Sequence, residues 1–215
     1  MDDTNIENLK RKEEAYAEIM RSSGYLNSKF IYDAWCAAFV WKKASSETIP
    51  YPITQRLLDN LESNPYSINP AIRSEIMRLA DEYKFFHWHI AFPDVFVAKM
   101  PTEISDQDFT GWTSGFDCIL GNPPWGASVS DKQKLLIQNS YHTTEKGIID
   151  TFSVFTELSV KRLVSKGYLG LVLPDVVLLK NYPSIRLYLL LETTIIEIAN
   201  WGRAFKNVNI DARVS

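Results

Sequence analysis

Apolar residues recur at helical spacing over roughly the first eighty positions, then in short continuous runs beyond residue 115. Residues 4–21 are rich in Ala, Glu and Lys, with Ile6, Leu9, Tyr16, Ile19 and Met20 loosely on one face. They predict an amphipathic helix that ends near Ser22-Ser23-Gly24. Lys29 to Trp41 predicts a second, more apolar helix in which Phe30, Ile31, Trp35, Phe39 and Val40 form a core or domain-packing stripe. Pro50, Pro52, Pro65 and Pro70 punctuate two shorter helices over roughly 53–63 and 70–84. Asn69 caps the latter, with Pro70 at its first helical position.

In the stretch from Phe85 to Phe96, His87 and His89 alternate, as two residues on one strand face would. Residues 99–114 carry no period and read as a surface loop. Phe116 to Leu120 is a short, mostly β-favouring run of a length suited to a buried strand. Asp131 can cap a helix reaching about Ser140, 142–147 is a loop, and Ile148 to Val164 predicts a long helix. Gly167 to Pro174 reads as a second buried strand, followed by the 182–190 segment and an Ile195–Ile198 strand. Val208 to Ser215 resembles the opening of one more strand, cut off within it. Strand, helix, strand, helix, strand predicts an α/β fold with a parallel sheet and right-handed crossovers. A mostly helical segment, residues 1–98, precedes that sheet domain, residues 99–215.

Composition narrows this little. At 215 residues, with 46% hydrophobic and 23% charged positions, the chain is long enough for a substantial core and is not of disordered type. No apolar run approaches the roughly 20 residues of a membrane helix, and the polar, acidic start is unlike a secretory signal. Cys36 and Cys118 sit in apolar surroundings and read as buried free thiols of a cytoplasmic protein. The net charge of −3 is unremarkable for a nucleic-acid binder, but it is unevenly spread. Residues 1–120 hold 12 basic and 18 acidic side chains, whereas 121–215 hold 11 and 8, so phosphate contacts belong in the second half. His87 and His89 lack a second cluster of Cys, His or carboxylate at zinc spacing, so no metal site is expected. A lone His142 reads as a surface residue rather than a base.

The candidate chemistry lies just after the first strand, in Asn122-Pro123-Pro124-Trp125. The two prolines cannot donate to a ladder and have φ fixed, so they make a rigid loop at the carboxyl end of a strand, where open α/β sheets place ligands. An exocyclic base amine is a poor nucleophile because its lone pair is delocalised into the ring. The Asn122 side-chain oxygen and the Pro123 carbonyl could accept its two N–H groups and favour a pyramidal nitrogen through preorganised dipoles. Trp125 offers a stacking face for a base that has left its helix. The same four letters also spell an ordinary turn, and only the strand before them argues otherwise.

Phe116-Asp117-x-Ile119-Leu120-Gly121-Asn122-Pro123-Pro124-Trp125 resembles the catalytic motif of adenine-N6 DNA methyltransferases, above all the large methylases of restriction–modification and phage-defence systems, including fused, type IIG-like enzymes. Residues 33–39, 85–88 and 92–96 resemble the segment ahead of that motif in such enzymes. Asp150-x4-Phe155, Lys166-Gly167-x-Leu169-Gly170-x3-Leu173-Pro174, Ile185-Arg186-x-Tyr188-Leu189-Leu190 and Gly202-x2-Phe205 resemble their later blocks. The resemblance implies part of a Rossmann-like methyltransferase sheet, with S-adenosylmethionine as cofactor and double-stranded DNA as partner. It also implies restriction or specificity subunits, or the remainder of the methylase, as further partners. By the same match Phe155 and Asn122 touch the cofactor, Phe205 faces Trp125 across the target base, and Arg203 and Lys206 reach phosphate. For Phe155 a core position on an amphipathic helix remains open beside that role.

The family's cofactor fingerprint, a Gly-x-Gly turn after a strand, does not occur in residues 1–115, where Gly24 and Gly111 stand isolated. The chain therefore reads as a segment of a larger methylase: a methyltransferase module, or a non-catalytic, DNA-binding remnant of one. An amino-methyltransferase acting on RNA or on protein glutamine would use the same loop.

Overall fold

The computed structural model describes residues 5–42, 52–97, 112–179, 181–200, 202 and 212–214. They fall into two compact units, Met1–Asp94 and Val95–Ser215.

The first unit is helical. Asn5 caps α1 (Ile6–Arg21) by accepting from the Glu7 N–H at 3.0 Å. Ser22 then serves two helices: its N–H closes α1 on the Ile19 carbonyl, and its hydroxyl accepts from the Tyr25 N–H to start α2 (Ser23–Val40). The Ser-Ser-Gly stretch is thus a junction, and α2 begins six residues before the expected Lys29. Phe30, Ala34, Ala37 and Trp41 recur at helical spacing and pack on Leu58 and Leu61 of α3 (Gln55–Ser63) and on Ile72, Ile76 and Leu79 of α4 (Pro70–Tyr83). Burying each of these large side chains is worth roughly 1.5–3 kcal/mol. Trp35 and Phe39, expected in the stripe, instead lie exposed, their rings tilted against each other with centroids 4.7 Å apart. Asn69 and Pro70 open α4 as the sequence predicts.

The two histidines do not share a strand face. His87 occupies the N-cap position of a short helix, α5 (Trp88–Ala91), that contains His89, and His87 Nε2 lies 2.8 Å from Asp33 Oδ1 on α2. Burial by itself would raise the Asp33 carboxyl; the hydrogen bonds from His87 and Lys29 outweigh it and hold the group below the usual carboxylate range. Among the described residues no group of His, Cys, Asp and Glu could hold a metal ion. None of the described helices is long and apolar enough to cross a membrane.

The second unit is built on a four-stranded sheet of order β1-β2-β4-β3, comprising β1 (Phe116–Gly121), β2 (Leu163–Pro174), β3 (Ala199–Asn200) and β4 (Ala212–Val214). β1 and β2 are parallel, but β4 runs antiparallel to both β2 and β3, so the sheet is mixed rather than wholly parallel. The link from β1 to β2 carries α6 (Asp131–Ser140) and α7 (Thr151–Val160); α8 (Pro183–Glu192) follows β2. Phe152, Leu171, Leu173, Val177 and Ile185 form the core under the sheet.

Several expectations need correction. β1 is largely exposed, not buried: Leu120 is 78% accessible and Cys118 is exposed, because among the described residues β1 is paired on one side only. Cys36 is half-buried, and both cysteines are free thiols. α6 is capped by Ser130, not Asp131, through a capping box with Gln133. The 148–164 helix is shorter at both ends. β2 already begins at Leu163, because the Phe116 N–H takes the Arg162 carbonyl at 2.8 Å and draws the chain into the ladder. Gly115 is needed there, since a Cβ would lie 2.5 Å from the Arg162 oxygen. Residues 195–198 form no strand; β3 starts only at Ala199. The 99–111 part of the expected loop lies outside the described residues.

Candidate active site

The loop Asn122–Gly126 leaves the carboxyl end of β1, as the apolar run followed by prolines predicts. Its side chains divide by role. Pro123 is buried and anchors the corner, whereas Asn122 and Pro124 are exposed. Among the described residues the Asn122 side-chain amide, with one acceptor oxygen and two N–H groups, has no hydrogen-bond partner. Trp125 is half-buried against the core under the sheet, and its indole N–H donates to the Val172 carbonyl of β2 at 3.3 Å.

The backbone of the loop is tied to the start of α7. Thr151 Oγ1 donates to the Pro124 carbonyl at 2.7 Å and accepts from the Ala127 N–H at 3.3 Å. The Asp150 carboxylate accepts from the Gly126 N–H at 2.8 Å, and its other oxygen accepts from the Tyr182 hydroxyl at 3.4 Å. Gly126 adopts φ +62°, a left-handed conformation that a side chain would strain by about 1–2 kcal/mol. Burial, with the Asp150 charge adding to it, pushes the Tyr182 phenol up.

Asp150 occupies the N-cap position of α7, yet it makes no side-chain cap bond to that helix. A capping aspartate is ordinarily worth about 1 kcal/mol. Here the carboxylate is turned to the loop instead.

Further along α7, Glu157 is fully buried. It accepts from the Thr143 N–H at 2.8 Å, and the Lys161 ammonium lies 2.6 Å from its other oxygen. Burial alone would raise this carboxyl; the Lys161 contact and the backbone N–H groups of Thr143 and His142 more than offset it and hold it low. Glu157 thereby fixes the turn His142–Thr144 against α7. His142 itself is exposed, 2.7 Å from Glu145, as a surface residue would be.

Phe155 is 45% accessible on α7, and the core position on that helix belongs to Phe152. Phe205, Arg203 and Lys206 lie outside the described residues. The structure therefore brings Asn122, Pro123, Pro124 and Trp125 together on one loop. Asp150, Thr151, Tyr182 and Glu157, which hold the loop and its surroundings, carry no recognisable spelling in the sequence. Only the Asp150-x4-Phe155 spacing drew attention to one of them.

A family model described as Eco57I restriction-modification methylase matches residues 6–206. The chain belongs to that family. Among curated proteins, a type II restriction enzyme and methyltransferase of Methanocaldococcus jannaschii is 26% identical over 195 residues, covering 80% of this chain and 14% of that protein. The type II methyltransferase M.VspI of a Vibrio species is 33% identical over 99 residues, covering 46% of this chain and 24% of that protein. The methylase chain thus spans a minor share of the curated relatives it matches. Its resemblance to restriction–modification methylases, first carried by the Asn-Pro-Pro-Trp loop, holds at the level of the family.

Proposed function

We propose that residues 99–215 form the base-gripping half of a DNA adenine-N6 methyltransferase of a restriction–modification or phage-defence system, using S-adenosylmethionine. The observation that carries the reading is the exposed Asn122 amide at the tip of β1, which has no hydrogen-bond partner among the described residues, on a loop whose Pro124 carbonyl, Trp125 indole and Gly126 N–H are engaged. A binding site that keeps one acceptor free while fixing its flanks suits a ligand that donates N–H groups.

In this reading Asn122 Oδ1 and the Pro123 carbonyl accept the two protons of an extruded adenine's amino group and orient its lone pair. Trp125 stacks on the base from one face and Phe205 from the other, while Arg203 and Lys206 neutralise phosphates. The residues present suit only part of the cofactor. Phe155 offers an exposed ring for an adenine and Asn122 a polar contact, but the glycine turn that would let backbone approach the ligand is not among residues 1–115. S-adenosylmethionine, when bound, supplies the electrophilic methyl group. The proton leaves the amine during or after transfer, so no general base is required of His142.

Labelled S-adenosylmethionine is titrated against the chain, and methyl transfer is measured into double-stranded DNA, RNA and a glutamine-bearing peptide. Transfer to DNA that disappears in Asn122→Ala supports the assignment. Transfer to RNA or peptide alone moves the substrate, and absence of both binding and transfer leaves a non-catalytic segment.

A further inference from the structure

The start of α7 holds the catalytic loop more closely than it holds its own helix. Four groups of the loop are tethered: the Pro124 carbonyl, the Trp125 indole and the N–H groups of Gly126 and Ala127. Three of the four end on the dipeptide Asp150-Thr151. Asp150 stands at the N-cap, where its carboxylate would normally take an N–H of its own helix, and makes no such bond. A local preference overridden in this way marks a place where another demand governs.

Thr151 has one hydroxyl proton and two oxygens within reach. The Pro124 carbonyl at 2.7 Å takes it in preference to Asp150 at 3.4 Å, which leaves the hydroxyl oxygen to accept from Ala127. The threonine therefore bridges the loop on both sides of Gly126, whose left-handed φ of +62° turns the chain between the two tethers. Tyr182 holds the second carboxylate oxygen of Asp150, and its ring lies 5.2 Å from Phe152, so the carboxylate is itself fixed from the core side.

We propose that Asp150 and Thr151 are positioning residues for methyl transfer: they fix residues 124–127, and through them the Asn122 amide and the Trp125 ring, without touching the substrate. This rests on the function proposed above for the same loop. Misplacement of reacting groups by about 1 Å costs on the order of a hundredfold in rate, so a clamp of this kind acts on turnover rather than on cofactor affinity.

The test uses the full chain and its Thr151→Val, Thr151→Ser, Asp150→Asn and Asp150→Ala variants. Valine matches threonine in shape, so Thr151→Val stays folded even if Asp150→Ala does not. Amide exchange of residues 125–128 reports the clamp, and steady-state methyl transfer to DNA reports its consequence. Thr151→Val is expected to speed exchange at Ala127 at least tenfold and to lower kcat ten- to a hundredfold, with the cofactor KM within threefold of wild type. Thr151→Ser restores both to within twofold, and Asp150→Asn, which keeps an acceptor for Gly126, falls between. Unchanged exchange in Thr151→Val overturns the clamp, and faster exchange with unchanged kcat overturns its role in turnover. If the wild-type chain transfers no methyl group, the function proposed above fails, and exchange alone then decides whether the dipeptide holds the loop.

Discussion

Replacing Glu157 by alanine should loosen the second unit. The carboxylate is fully buried, and the Thr143 N–H and the Lys161 ammonium both depend on it. The Thr143 N–H, on a residue only 2% accessible, would lose its acceptor, and an orphaned buried donor costs about 1–3 kcal/mol. Breaking a buried ion pair from one side costs about 3–5 kcal/mol, but the Lys161 side chain is 26% accessible and can turn toward water. The lower end of that range applies, and the two costs overlap, so the loss is about 3 kcal/mol. Glu157→Gln keeps the shape and one acceptor and should lose about 1–2 kcal/mol. Because the chain forms two units, one global melting curve would mix their transitions. Native-state amide exchange of α7 and β2 isolates the relevant opening. At 1.4 kcal/mol per decade, Glu157→Ala should speed it roughly a hundredfold and Glu157→Gln about tenfold. Exchange within threefold of wild type in Glu157→Ala would show that the carboxylate is not what holds the 142–144 turn.

Other outcomes follow from the same geometry. Glu157 has its folded value below the ordinary 4.5, so its stabilisation is complete above that pH and is lost as pH falls through the depressed value. The gap in α7 exchange between wild type and Glu157→Gln should therefore narrow below about pH 4, and a constant gap would remove the charge from the account. Asp33 behaves alike in the first unit from an ordinary value of 3.8. Asp33→Asn should weaken the α2 attachment to His87 at neutral pH and flatten the acid limb of that unit's stability, read by exchange of the 85–91 amides. Asn122→Ala should leave exchange across the unit within twofold, since the side chain is exposed and has no partner among the described residues, yet lower methyl transfer by 10²–10³. Phe155→Ala, at a ring 45% accessible, should cost less than about 1 kcal/mol in stability while raising the cofactor Kd in a titration with labelled cofactor.

What could be read from the residues was what local chemistry decides. Asn69-Pro70 fixes the start of α4 without help from elsewhere, and the prolines after Gly121 end β1 wherever it pairs. The misreadings came where a distant partner intervenes. His87 leaves its alternation because Asp33 stands 54 residues earlier. Leu163 and Val164 join β2 rather than prolong α7 because Phe116 bonds to Arg162. Ile195, Ile196 and Ile198 have strand composition but no ladder partner among the described residues, and β4 reverses direction in a way no periodicity encodes. Asp150 and Thr151 spell an ordinary helix start, so their attachment to the loop is visible only in three dimensions.

One irregularity in β2 constrains how the chain can vary. Phe116 pairs with Leu163 and Cys118 with Tyr168, so two steps on one strand face five on the other, and Lys166 takes up the slack at φ 65°. Ser165 and Lys166 are exposed, so their identity is free to drift; glycine at 166 would even relieve the bend. Their number is not free. Removing one residue there would shift the alternation by a step and turn Leu169, Leu171 and Leu173 outward, while removing two would preserve it. Natural and engineered relatives of this segment should therefore differ here in letters, or by pairs of positions, but not by single gaps.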